Sequence, residues 1–308
     1  MPRPVLSCGP GVEMTVSVPR YAVIGHPIAH SLSPQIHQIF AERTGIQLSY
    51  ERLLAPRDDF AGVASAFFEN AGQGLNVTLP FKEVAHAWVA HHAGYAARAG
   101  AVNTIAIDPV SGPHSAPLLV GHNTDGPGLL RDLSRLLPLA GARILVLGAG
   151  GAVRGVLEPI LERQPGQVVL CNRTASRADA LAADFADHRL QACALVDLSG
   201  PFDLVVNGTA ASLSGDLLPI ATDLVQGAWC YDMAYTRDGA AATAFCQWAA
   251  ASGAAGVSDG LGMLVEQAAL AFEIWHGQLP ETHGIVARLR NALTDPASNP
   301  TSGEHPDG

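Results

Sequence analysis

The chain has 308 residues, 48% of them apolar and 15% charged, with 32 glycines, 21 prolines and a formal net charge of −10. That length suits two domains with sizeable cores and excludes a small cross-linked peptide, while the apolar share excludes long disorder through the body. The acidic balance weighs against a protein that coats a polyanion, and no run of about 18 uninterrupted apolar residues offers a membrane span.

Residues 1–19 are broken by prolines and read as a loose extension in which Met14 is a candidate start. From Tyr21 short apolar runs alternate with helix-periodic stretches: YAVIG, SPQIHQIFAERTG, LSYERLL, DDFAGVASAFFENAG and GLNVTL. This is the rhythm of an α/β domain. The first helix should have Ser33 as N-cap, Pro34 in its first position, Ile36, Ile39 and Phe40 on one face, and Gly45 past its end. A second βαβ series begins at RILVLG (143–148) and runs through VVLCN, FDLVVN and WCYDM, so a Rossmann-type parallel sheet is expected. Junctions fall at 121–126 and 258–262, about which closure of the two units is expected. The helix MLVEQAALAFEIW is apolar on all sides apart from Glu266 and Gln267, which predicts burial against the first unit. The expected division is therefore 20–124 plus 260–293 for one domain and 125–259 for the other, with flexible ends at 1–19 and 294–308. Five scattered cysteines (Cys8, Cys171, Cys193, Cys230, Cys246) read as reduced thiols of a cytoplasmic protein with no metal site.

The first chemical signal is Gly148-Ala149-Gly150-Gly151-Ala152, directly after a strand. Glycines there let backbone N–H groups approach a pyrophosphate at a helix N-terminus. A tight strand-to-helix turn is the plain alternative. A little over twenty residues on, where an NAD site carries an acidic group, stand Asn172-Arg173-Thr174 and Arg177, which predicts NADP. Arg154 is a weaker third candidate for the phosphate.

Seventeen of the eighteen basic residues are arginine, and Lys82 is the one lysine. A retained lysine suggests chemistry that guanidinium cannot do, since it offers a compact donor able to lose its proton. Composition alone leaves chance an equal explanation. Asn76 and Thr78 precede it on a strand that Pro80 should end, spaced to share a face. Ser31, Ser33, Asn103, Asp125, Tyr235 and Gln267 are further polar candidates, although a cap or a turn explains several of them.

Eight segments in order, GHPIAHSLSP, NVTLPFK, AVNT, NTDG, LGAGGAVRG, NRTASR, YDMAY and DGLGMLVEQAA, resemble the motifs of the shikimate 5-dehydrogenase family across roughly residues 21–293. Two departures are NGTAAS (207–212) in place of NATSSG and the lack of a Thr-Pro after YDMAY. The resemblance implies an N-terminal α/β substrate domain, an NADP domain, and reversible reduction of 3-dehydroshikimate to shikimate. It implies Lys82 and Asp125 as the catalytic pair, and Ser31 and Ser33 on the substrate carboxylate. Asn76, Thr78, Asn103, Tyr235 and Gln267 would line the pocket. Gly148 to Ala152, Asn172, Arg173, Thr174, Arg177, Met233 and Gly260 would bind NADP. The expected partner is a small molecule, with no nucleic acid or membrane, in a monomer or homodimer. Alternatives are a quinate/shikimate dehydrogenase with broader cofactor use, a redox-silent regulator, and, more remotely, a folate-type dehydrogenase.

Overall fold

A computed structural model describes residues 18–108, 118–209, 219–236 and 242–294. The first of two six-stranded sheets is built from β1 (Arg20–Gly25), β2 (Ser49–Leu54), β3 (Gly72–Val77), β4 (His91–Ala93), β5 (Thr104–Ile107) and β6 (Leu119–His122), in the order β2-β1-β3-β5-β6-β4. β1 runs parallel to β2 and β3, whereas β5 is antiparallel to both β3 and β6. Tyr21, Ala22, Val23 and Ile24 are all buried, as a strand covered on both faces requires. Helix α2 (Phe60–Glu69) adds Phe60, Ala64, Phe67 and Phe68 to a core with Ala22, Ile24, Leu75 and Val77.

Helix α1 (Ser33–Thr44) buries Ile36, Ile39 and Phe40 and ends at Gly45, whose φ of +72° suits glycine. Its start differs from expectation. Leu32 is the N-cap, Ser33 lies inside the first turn, and no side chain caps the helix. The physical reason is that the N-cap position falls one residue earlier, at Leu32, so Ser33 is already in the first turn, where its hydroxyl takes the bond from Ser31 Oγ.

β7 (Arg143–Leu147), β8 (Gln167–Cys171), β9 (Leu190–Cys193), β10 (Leu204–Asn207), β11 (Trp229–Asp232) and β12 (Gly256–Asp259) form the second sheet, parallel throughout, in the order β12-β11-β10-β7-β8-β9. Ile144 and Val146 join one core with α6 (Gly151–Glu162) and α7 (Ala175–Phe185), while Leu145 and Leu147 join another with α8 (Ala244–Ala251). The chain steps outward from β7 to β8 and β9 and then crosses to β10 on the other side of β7, so the ligand crevice of this Rossmann-type sheet lies beyond the carboxyl ends of β7 and β10.

Two helices tie the sheets together. In α5 (Asp125–Leu133) a Cβ on Gly126 would stand 2.4 Å from Gly155 O in α6, and one on Gly128 would stand 2.7 Å from Gln267 Cβ in α9 (Leu261–His276). Glycine at both positions therefore permits a close three-helix contact. α9 packs through Phe272 on Phe40, and Trp275 Nε1 donates to Ile105 O of β5 at 3.1 Å. The last element, α10 (Ile285–Thr294), includes Thr294, and Pro19 O accepts from Ser49 N at 2.9 Å, so these two residues are structured rather than parts of flexible ends. The remaining terminal residues expected to be loose, except Val18, lie outside the described residues.

Candidate active site

Strand β3 stops at Val77, short of Pro80, because Phe81 N turns back to Thr78 O at 3.0 Å. That turn delivers Lys82 as the first residue of α3 (Lys82–Trp88). Lys82 Nζ donates to Asp125 Oδ2 at 2.7 Å, with the two side chains 29% and 13% exposed. The pair thus stands at the edge of solvent, partly shielded yet open enough to be reached.

Asp125 is the first residue of α5, where the helix dipole favours its negative charge. Its other oxygen accepts from Asn103 Nδ2 at 2.8 Å. The buried Asn103 is itself clamped: its Oδ1 accepts from Thr124 N at 2.8 Å and from Thr104 Oγ1 at 3.1 Å. Gln267 Oε1, from α9, accepts from Asn103 Nδ2 at 3.3 Å, while Gln267 Nε2 donates to Leu264 O. Sheet, linking helix and returning helix therefore meet at one carboxylate.

A second group of polar residues adjoins the first. Asn76 Nδ2 donates to Asn103 O at 3.2 Å and to Thr104 Oγ1 at 3.0 Å. Tyr50 OH, from β2, donates to Asn76 Oδ1 at 2.6 Å. Ser31 Oγ donates to Ser33 Oγ at 3.2 Å. Thr78 lies beyond the end of β3 with its methyl toward Gly25. Tyr235 packs against the α1–α9 core.

Gly148 follows β7 with φ of +110°, a conformation that disfavours any side chain, and a Cβ there would stand 3.0 Å from Gly208 O after β10. Gly150 is the N-cap of α6, no side chain caps that helix, and a Cβ on Gly150 would meet nothing within 4 Å. The helix N-terminus is thus left without a side-chain cap and with room beside Gly150, an arrangement that suits a pyrophosphate. Beyond β8, Arg173 and Arg177 are exposed and make no side-chain bond or ion pair among the described residues, and Asn172 Nδ2 ties the loop by donating to Thr174 O. Two guanidiniums without a side-chain partner among the described residues, Arg173 on the loop and Arg177 in the first turn of α7, fit a phosphate. Arg154 does not join them, because Asp184 holds it at 2.6 Å. Gly260 meets Met233 O, at 2.2 Å from its would-be Cβ, so close packing of two chain segments requires glycine there.

The glycine turn lies close to the start of α3: the carboxylate of Glu83, the residue after Lys82, is 3.1 Å from where a Cβ on Gly151 would be. Tyr50 and Thr124 are members of this constellation that the sequence reading passed over. Thr124 was within reach as part of NTDG, but Tyr50 stands in an ordinary strand, and only the pairing of β2 with β1 brings it to Asn76.

Family models match residues 23–105 (shikimate dehydrogenase substrate binding domain), 132–214 (shikimate/quinate 5-dehydrogenase) and 260–290 (shikimate 5′-dehydrogenase C-terminal domain). A relative from Alkalilimnicola ehrlichii named shikimate dehydrogenase (NADP(+)) is 52% identical over 275 residues, 88% of this chain and 98% of its own. A shikimate 5-dehydrogenase from Thermus thermophilus, solved with NADP(H) and shikimate, shares 37% identity at a TM-score of 0.75, covering 89% of this chain and 99% of that one. A solved Ael1 enzyme from Pseudomonas putida shares 39% identity at a TM-score of 0.81 over 88% of this chain and 98% of its own.

Proposed function

Because the chain belongs to the shikimate dehydrogenase family, we propose that it catalyses the reversible NADP-dependent reduction of 3-dehydroshikimate to shikimate, a step of aromatic amino-acid biosynthesis. The observation that carries this reading to the level of residues is the Lys82–Asp125 pair, joined at 2.7 Å, with the neighbouring Glu83 reaching Gly151 of the glycine turn before α6. In this reading residues 20–124 with 260–293 form the substrate domain and residues 125–259 the cofactor domain. Membership of a family of biosynthetic enzymes supports action on small molecules and a cytoplasmic setting, and a monomer or homodimer belongs to the same reading.

NADPH, when bound, supplies the hydride that reduces the ring ketone. The turn from Gly148 to Ala152 would hold its pyrophosphate through backbone N–H groups, Asn172, Arg173, Thr174 and Arg177 would hold the 2′-phosphate, and Met233 and Gly260 would contribute to the nicotinamide end of the site. Ser31 and Ser33 donate to the substrate carboxylate, next to the start of α1, where the dipole favours an anion. Asn76, Thr78, Asn103, Tyr235 and Gln267 orient the ring and its hydroxyls. Lys82 presents its ammonium to the ketone oxygen, so that a donor is already placed where negative charge grows, and a proton reaches that oxygen. Asp125 fixes the ammonium and receives a ring hydroxyl.

The test is incubation of the purified protein with 3-dehydroshikimate and NADPH, following cofactor absorbance and identifying the product. Equimolar loss of NADPH and appearance of shikimate is expected. Absence of turnover would overturn the reading and favour a redox-silent regulator.

A further inference from the structure

The turn that carries Ser31 is tied to the first sheet by a side chain from outside it. Between β1 and α1 the chain leaves the sheet at His26, whose N–H donates to Leu79 O at 3.0 Å and whose ring Nδ1 lies 2.8 Å from Ala55 O. Ile28 is buried, Ala29 and His30 are exposed, and Ser31 is half-buried. Ser31 N closes a turn on Ile28 O at 3.0 Å. Among the described residues, Arg52 is the one side chain from another element that bonds residues 29–31. Its Nε and Nη2 both donate to Ser31 O, at 3.1 and 2.6 Å.

Arg52 stands on β2 two positions after Tyr50, so the two share a face of the strand. That face is the one α1 covers, because the Tyr50 ring stacks on the buried His37 of α1 with centroids 4.2 Å apart. β2 runs parallel to β1 with Leu54 opposite Gly25, which sets Arg52 toward the end of the sheet from which the Ser31 turn departs. Two N–H groups of one planar fork fix a carbonyl in direction as well as distance. The peptide is planar, so holding Ser31 O also sets the Leu32 N–H, which points the opposite way at the entrance to α1. Charge adds to this. Arg52 is exposed, forms no ion pair among the described residues, and spends its two bonds on a neutral carbonyl. The first turn of α1 holds no acidic residue. The guanidinium therefore keeps its positive charge one residue from a hydroxyl assigned to the substrate carboxylate.

We propose that Arg52 is a positioning residue for the carboxylate anchor, fixing the Ser31 turn through its backbone and setting an unpaired positive charge beside the seat of the acid group. The proposal rests on the reading of this site as a shikimate site and deepens it at the anionic end of the substrate. Arg52 acts through Ser31 and through its charge, so its loss should cost binding of the acid and spare the nucleotide half of the molecule.

Calorimetric titration of the full chain with shikimate, without cofactor, reads this independently of turnover. At about 50 mM NaCl, Arg52→Gln, which removes both the fork and the charge, should weaken shikimate binding about tenfold and leave NADP affinity within about twofold of wild type. At about 500 mM NaCl the gap should narrow to about threefold, because salt screens an exposed charge and leaves the grip on the turn. A merely structural contact would give the same gap at both concentrations. Arg52→Lys keeps the charge without the two-point grip, so it should bind shikimate about threefold more weakly than wild type at either concentration, and it serves if Arg52→Gln does not fold. Shikimate affinity within about twofold of wild type in the variants, an equal loss of NADP affinity, or an Arg52→Gln gap that salt does not change would overturn the proposal. A wild-type protein that binds shikimate but does not oxidise it would instead overturn the functional reading.

Discussion

Lys82→Ala separates a chemical role from a structural one. In the folded protein the ammonium makes one short bond, 2.7 Å to Asp125 Oδ2, and stands 29% exposed. Asp125 does not depend on it: Asn103 Nδ2 holds the other oxygen at 2.8 Å, and the first turn of α5 favours the charge. Ion pairs this near to solvent contribute about 1 kcal/mol or less, which for a protein of this size corresponds to a fall in Tm of only a few degrees. A donor placed on developing negative charge is worth far more, and its removal typically costs about 100- to 1,000-fold in rate, or about 3 to 4 kcal/mol of barrier. Steady-state kinetics by NADPH absorbance should therefore show kcat down by that factor with the KM for 3-dehydroshikimate changed much less, alongside a near-native melting curve. Lys82→Arg keeps the charge but not the compact donor and should remain at least about tenfold impaired. Near-normal kcat in Lys82→Ala would refute the assignment. So would a collapse of Tm together with lost NADP binding, because the residue would then be structural.

Replacing Arg173 and Arg177 with Gln should raise the KM for NADP about tenfold or more per guanidinium and leave that for NAD little changed, measured with saturating shikimate. A Ser31→Ala, Ser33→Ala double variant should weaken shikimate binding at least about tenfold in calorimetry while sparing NADP; an equal loss of both would make the segment structural only. His37 gives a pH test. Its folded pKa of about 3 lies below the usual 6.5, so between those values the unfolded chain binds a proton that the folded chain does not, and stability falls as pH drops. Within that window the wild type should lose about 1.4 kcal/mol more per pH unit than His37→Phe in denaturant unfolding, with His276, whose pKa is also lowered by burial, common to both.

The legible parts of this molecule were those whose physics is local. Strand, glycine turn and helix at 143–162, with arginines after the next strand, form a short-range arrangement in which each residue type has a backbone or charge reason. The first sheet was less legible, because β4, β5 and β6 are only three or four residues long, too short for a period to show. A cap role for Ser33, expected from its place before Pro34, gives way because Leu32 takes the N-cap position and Ser31 Oγ donates to the Ser33 hydroxyl. Tyr50 was invisible because its importance lies in which neighbour the sheet supplies, Asn76 on β3. Asn103, for which a turn role was an open alternative, bonds instead across three elements, and that too is tertiary information.

Steady-state kinetics of the wild-type protein with shikimate and quinate, each with NADP and with NAD, tests the proposed activity most directly. The highest kcat/KM is expected for shikimate with NADP, with a large fall when NAD replaces it because Arg173 and Arg177 lose their phosphate, and a fall when quinate replaces shikimate. Equal use of NAD and NADP, or no oxidation of shikimate with either, would contradict it.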